Sequence, residues 1–165
     1  MEIKTKRLTI LPVSIGVLAE YETLEYGLKE IAPHILWSLE MTSENIDFEG
    51  WGVWLVIENK KIIGDIGFKG KPNADGQVEV GYGILPHEQN KGYATESVTA
   101  LCEWAFKSGQ VKKILADCKR DNVPSVQVLK KLGFKREEEK GELLLWSLTC
   151  LNNLKEEGQI EYESN

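Results

Sequence analysis

The order of elements along the chain predicts an α+β fold with a mixed sheet, not alternating βαβ units. Three observations carry that prediction. Two β-rich runs flank the turn-like ENKK (58–61) and a third follows PNADG (72–76), which makes an antiparallel meander. Helix-patterned stretches at 95–107 and 121–131 come after the meander, separated by the buried-strand run KILADC (113–118). The 165 residues, 42% of them apolar, are enough for one domain over 1–165 with a single sizeable core. That core is expected over about 7–150, with a polar tail at 152–165 that frays or caps an edge.

Taken in order, RLTILPV (7–13) reads as a first strand, mixed apolar and β-branched, closed by Pro12. Residues 15–30 read as helix from the steps Ile15, Leu18, Tyr21 and Glu25, although Gly16 and Gly27 interrupt it. The segment 31–50 is read as a short helix around 34–40 and a polar loop. The meander then runs from 52 to 85. In the helix at 95–107, Val98, Leu101, Cys102, Ala105 and Phe106 share one face, and Gly109 stands where a C-terminal glycine belongs. The helix at 121–131 has Pro124 near its start and Gly133 beyond its end. ELLLWSLT (142–149) reads as a last strand, and the acidic run Glu137–Glu139 as the solvated loop before it.

Composition excludes several classes. Lys plus Arg is 20 and Asp plus Glu is 26, a net charge of −6, so no electrostatic footprint for nucleic acid is expected. No apolar run reaches membrane-spanning length, and the N-terminus lacks a secretory pattern. Cys102, Cys118 and Cys150 are odd in number and widely spaced, with no CxxC pair. Buried thiols in a reducing cytosol are expected, with neither a disulfide framework nor a metal site.

QNKGYATES (89–97) follows the strand-like VEVGYGILP and turns straight into a helix. Gly92 can adopt backbone angles closed to other residues and has no side chain to block an approaching oxygen. The first N–H groups of the helix lack internal partners and, with the helix dipole, favour an anion. Ala94 keeps the surface low, and Lys91 adds positive charge. A plain helix start, with Gly92 in a turn and Thr95 as cap, fits the same residues. In the strand before the loop, Val78, Val80, Tyr82 and Ile84 lie on one face, and Glu79, Gly81 and Gly83 on the other. GDIGFKGK (64–71) is a decoy: its glycine spacing is one residue too long for a P-loop, and Pro72 stands where a metal-binding hydroxyl belongs. GYG (81–83) lacks the third glycine of a dinucleotide fingerprint.

VEVGYGILPHEQNKGYATES resembles the acetyl-coenzyme A motif of the GCN5-related N-acetyltransferases (GNAT), Q/R-x-x-G-x-G/A at a strand–loop–helix junction, with Gln89, Gly92 and Ala94 in its fixed places. DNVPSVQVLKKLGF (121–134) resembles a second segment of that family, N-x-x-S/A followed by GF. The opening KRLTILP is similar to the first strand of the ribosomal-protein N-terminal acetyltransferase-like branch. The resemblance implies a GNAT-type mixed, mostly antiparallel sheet of about seven strands with helices on both faces. It further implies acetyl-coenzyme A as cosubstrate, no metal, and direct transfer of acetyl to an amine without an acyl-enzyme.

By the same resemblance, backbone amides across Asn90, Lys91, Gly92, Tyr93, Ala94 and Thr95 would hold the pyrophosphate, with Gln89 at the head of the loop. Ile84 and Leu85 at the strand end would meet the pantetheine arm where the strands 77–85 and 113–118 splay apart. Asn122 would bond that arm, or cap the next helix, or both. The attacking amine must be neutral and the leaving thiolate must be protonated or stabilised, so acid–base groups are useful. Glu79 is the expected base, against the plainer reading of a salt-bridged strand carboxylate. Ser125 would contact the coenzyme or protonate the thiolate, against an ordinary early-helix serine. Leu129 stands where many family members carry a tyrosine acid. His34 and His87 read as surface residues, and Trp51, Trp54, Trp104 and Trp146 as packing. The acceptor is an amine on a peptide N-terminus or a small molecule, and homodimerisation accords with the family. A catalytically weak coenzyme A-binding sensor or interaction module is the rival reading, and a nucleotide-phosphate protein is disfavoured by the missing motifs.

Overall fold

The computed structural model describes residues 1–150; the polar tail expected over 152–165 lies outside them. Eight strands form one sheet, β1 (Ile3–Lys4), β2 (Thr9–Pro12), β3 (Val53–Glu58), β4 (Lys61–Phe68), β5 (Gln77–Ile84), β6 (Lys113–Lys119), β7 (Lys135–Lys140) and β8 (Leu143–Thr149), in the order β1-β2-β3-β4-β5-β6-β8-β7. Every pairing is antiparallel except β5 with β6. Four helices accompany them: α1 (Ile15–Glu20), α2 (Pro33–Glu44), α3 (Tyr93–Lys107) and α4 (Val123–Lys131). Among the described residues, no helix is long and apolar enough to cross a membrane.

The sheet is covered on both faces, which explains why β3 is apolar at nearly every position. Trp54 and Val56 point into one core with Val98, Leu101 and Ala105 of α3 and Leu129 of α4. Val53, Leu55 and Ile57 point into a second core with Leu18 of α1 and Ile35 of α2. The hairpin between β3 and β4 turns on Asn59 and Lys60, both at positive φ, as a two-residue loop requires. Gly64, one of the P-loop-like glycines, is a strand residue. A Cβ there would stand 2.3 Å from the Gly83 carbonyl oxygen of the neighbouring strand.

Three elements differ from the sequence reading. The first helix ends at Glu20 instead of reaching 30. Beyond it, Thr23 and Tyr26 close a local turn, and the Tyr26 hydroxyl donates to Asp65 Oδ2 at 2.6 Å. A tertiary hydrogen bond thus overrides a weak helical pattern. The second helix is longer than expected, 33–44, because Pro33 opens it and buried Ser38 accepts the Val53 N–H across to the sheet. KREEEK, read as a loop, is the edge strand β7. All six of its side chains are exposed, so no apolar alternation marked it. Its backbone pairs with β8, and its charges suit a sheet edge.

Leu129 is fully buried in the α3/α4 core. Leu129→Ala should lower unfolding stability by about 3–4 kcal/mol, measured by urea denaturation, through lost burial and the cavity left behind.

Candidate functional site

The parallel pair β5/β6 holds only over Gln77–Glu79 against Lys113–Leu115. Beyond Glu79 the edge of β5 facing β6 has no strand partner among the described residues, while β6 stays paired to β8 as far as Lys119. A cavity of about 510 Å³ opens in that splay. Its walls are the end of β5, the loop into α3, and the first turns of α4. Of the residues singled out by sequence, Ile84, Gln89, Asn90, Gly92, Tyr93, Ala94, Thr95, Asn122 and Ser125 line it.

The loop end of the cavity is built by conformation. Asn90 and Gly92 both have positive φ, 63° and 82°. Gly92 is the N-cap of α3 and offers no side-chain acceptor. Its carbonyl accepts the Glu96 N–H, but the N–H groups of Tyr93, Ala94 and Thr95 find no acceptor among the described residues. Thr95 is therefore inside the helix and not its cap. Gln89 braces the loop by donating Nε2 to the Ile84 carbonyl at 2.9 Å.

Arg7 fixes the outer side of the loop. It donates Nη1 to the Lys91 carbonyl at 2.8 Å and Nε to Glu96 at 2.7 Å, and its guanidinium lies 4.4 Å over the Tyr93 ring. Thr5 adds a 2.7 Å hydrogen bond to the same carboxylate. Burial alone raises Glu96, but the bonds from Thr5 and Arg7 outweigh it and hold the carboxyl below its ordinary 4.5. A depressed folded value means stability that is present above pH 4.5 and is lost as pH falls through the folded value. Glu96→Gln should cost about 2 kcal/mol at neutral pH, and its stability should decline less than that of the parent on acidification, read by urea melts across the acid range.

Lys91 and Leu85 do not line the cavity. The Lys91 ammonium turns to Glu88 at 2.9 Å, which raises the lysine and lowers the glutamate. The positive side chain on the wall is Lys131, in the last turn of α4, which the sequence reading had not singled out. Leu85 already donates its N–H to the Ile63 carbonyl and accepts from the Glu88 N–H. Asn122 is the N-cap of α4, its Oδ1 accepting the Ser125 N–H at 3.2 Å while the side chain lines the cavity. The Ser125 hydroxyl lies 2.8 Å from that of Tyr82, a cavity residue equally missed. Alternation along β5 puts Tyr82 on the face with Val78, Val80 and Ile84 without showing what it meets.

Glu79 is on the opposite face of β5, with Gly81 and Gly83, and is bonded by the Lys69 ammonium. Lys69 also lies 3.9 Å from Asp117 Oδ2. Among the described residues, no atom stands within 4 Å of a Cβ placed on Gly83, which leaves an open floor on this face. Asp65, paired in register with Gly83, accepts from Tyr26 and lies 2.9 Å from His34 Nε2, so His34 is tied to the sheet as well as exposed. Burial and then the Asp65 charge push the Tyr26 phenol far above its ordinary value. His87 is exposed beside Glu88. Trp51, Trp54 and Trp146 are buried, and Trp104 packs against the first two with ring centroids about 5 Å apart. Cys102 and Cys118 are buried free thiols, and burial pushes Cys102 up to about 12.

Residues 13–135 match the acetyltransferase (GNAT) domain. The chain is similar to the uncharacterized N-acetyltransferase YjdG of Bacillus subtilis, 32% identical over 109 residues. That stretch covers 65% of this chain and 65% of the relative, short of two thirds of its length. Among solved structures, ribosomal-protein-S5-alanine acetyltransferase from Vibrio fischeri has a TM-score of 0.71 at 19% identity, covering 90% of this chain and 96% of that one. The ribosomal L7/L12 acetyltransferase RimL, in complex with coenzyme A, has a TM-score of 0.70 at 14% identity, covering 91% and 98%. At these identities the two structures share the fold.

Proposed function

The chain belongs to the acetyltransferase (GNAT) family, and from that premise we propose that it transfers acetyl from acetyl-coenzyme A directly to a primary amine within a ternary complex. The observation that carries this reading is the cavity in the β5/β6 splay, closed at one end by the unbonded N–H groups of Tyr93, Ala94 and Thr95. A glycine N-cap with positive φ and free helix donors suits a pyrophosphate. The bare edge of β5 beyond Glu79 suits an amide-bearing arm. Bound there, the coenzyme supplies an activated acetyl thioester.

The remaining chemistry falls to side chains. Glu79 would take the proton from the incoming amine, directly or through water, from the open glycine face of β5. Lys69 occupies its Oε1 and holds the carboxylate in place, leaving Oε2 to receive the amine proton. Asn122 and Ser125 would contact the arm from the start of α4. The ribosomal-protein acetyltransferases among the structures of the same fold make peptide N-termini the first acceptors to try.

The test is an acceptor panel of short peptides with free N-terminal Ala or Ser, polyamines and aminoglycosides, scored by acetyl-coenzyme A-dependent thiol release and product mass. Acetylated amine is the expected result. Coenzyme binding with no turnover of any amine would favour the sensor-type module instead.

A further inference from the structure

A transferring thioester leaves negative charge on sulphur, and a donor placed at that atom speeds departure. Four ionisable side chains line the cavity: Tyr82, Glu88, Tyr93 and Lys131. Glu88 is engaged by Lys91. Tyr93 begins α3 under Arg7, at the loop end. Lys131 stands at the far end of α4. Tyr82 alone of the four sits on β5 within the splay, three residues past the last pairing of β5 with β6. It lies three residues short of Leu85, about 10 Å at ~3.3 Å per strand residue, so an extended arm starting at the loop passes it.

We propose that the Tyr82 hydroxyl, aimed by Ser125, is the hydrogen-bond donor to the coenzyme sulphur. This rests on the acetyl-transfer reading and adds to it a residue from β5. The two hydroxyls are 2.8 Å apart; with the serine as donor in that pair, the single phenol proton, whose other acceptor is the Ser125 carbonyl at a long 3.4 Å, is free to turn to the sulphur. Burial pushes the phenol above its ordinary 10.0 and outweighs the lowering effect of Ser125. Cys118 on β6 is the other ionisable group that bears on it, and raises it further. Tyr82 therefore keeps its proton at neutral pH and donates without losing it. As the nitrogen–carbon bond forms and the carbon–sulphur bond breaks, sulphur keeps the electron pair. Tyr82 stabilises that charge, the amine proton leaves through Glu79, and the thiol regains a proton from solvent.

The test compares parent, Tyr82→Phe and Ser125→Ala with coenzyme A bound. The thiol is titrated through the carbon NMR shift of the coenzyme's sulphur-bearing methylene. The parent should hold the thiol pKa about one unit below its value in Tyr82→Phe, a tenfold difference in thiolate population. Ser125→Ala should move it part of the way in the same direction, since that serine is a positioning residue. Coenzyme affinity, measured first by calorimetry, should stay within about threefold in Tyr82→Phe, as expected for one weak sulphur contact. Identical thiol titrations in parent and Tyr82→Phe, both with coenzyme bound, would overturn the proposal and leave the transferase reading standing. Failure of the parent itself to bind coenzyme would overturn both.

Discussion

Gly92→Val is expected to lower affinity for acetyl-coenzyme A by at least ~100-fold, about 2.7 kcal/mol, while the protein remains folded. Gly92 sits at φ 82° and ψ 7°, a left-handed conformation that a β-branched residue adopts only at a cost on the order of 1–2 kcal/mol. The segment either keeps that strain or relaxes toward negative φ, which turns the N–H groups of Ala94 and Thr95 away from the cavity. A Cβ at this position also stands 3.3 Å from Arg7 Nη2, so the valine crowds the guanidinium that holds the Lys91 carbonyl. Hydrogen bonds to a charged partner contribute about 1.5–3 kcal/mol each, so losing two accounts for the predicted drop. Calorimetry measures affinity and thermal unfolding verifies the fold. Gly92→Ala should fall between the parent and the valine variant.

Glu79→Gln is expected to reduce turnover by about 100-fold or more with coenzyme affinity nearly unchanged, because a positioned base contributes on the order of 10²–10⁴ in rate. The carboxylate does not line the cavity, so the coenzyme does not depend on it. The rival role is half of a surface ion pair with Lys69, worth at most about 1 kcal/mol at this exposure. Lys69→Met separates the two. If Glu79 is the base, Glu79→Gln is far more damaging to turnover than Lys69→Met. If the ion pair is all that matters, the two variants lose the same small amount of stability and the same activity.

The parts of this fold that sequence made legible are those where local chemistry and tertiary demand agree. ENKK forms the expected two-residue turn because Asn59 and Lys60 accept positive φ. Val98, Leu101, Cys102 and Ala105 are all buried, so the apolar stripe of α3 found its core. The junction at Gly92 is legible because the glycine stands between a strand-like run and a helix-patterned one, in the places of the family motif. The misreadings share an opposite cause. Edge strand β7 is held by backbone pairing with β8 and by polar contacts from Ser147 to Glu137 and from Arg120 to Glu139, none of which shows as apolar alternation in KREEEK. The end of α1 depends on Tyr26 reaching Asp65, 39 positions away in the chain. The Lys91 ammonium, a positive charge beside the loop in the sequence, is turned to Glu88 by the folded turn that brings the two together. Tyr82 and Lys131 line the cavity through the placement of α4 against β5, a tertiary fact that no periodicity encodes.

The measurement that bears most directly on the central claim is calorimetric titration of the purified protein with acetyl-coenzyme A, with ATP and NAD as controls. Saturable binding of acetyl-coenzyme A with a one-to-one stoichiometry, lost in Gly92→Val and absent with NAD, is the predicted result. No heat with acetyl-coenzyme A at any workable concentration would contradict the account and return the loop before α3 to an ordinary helix start.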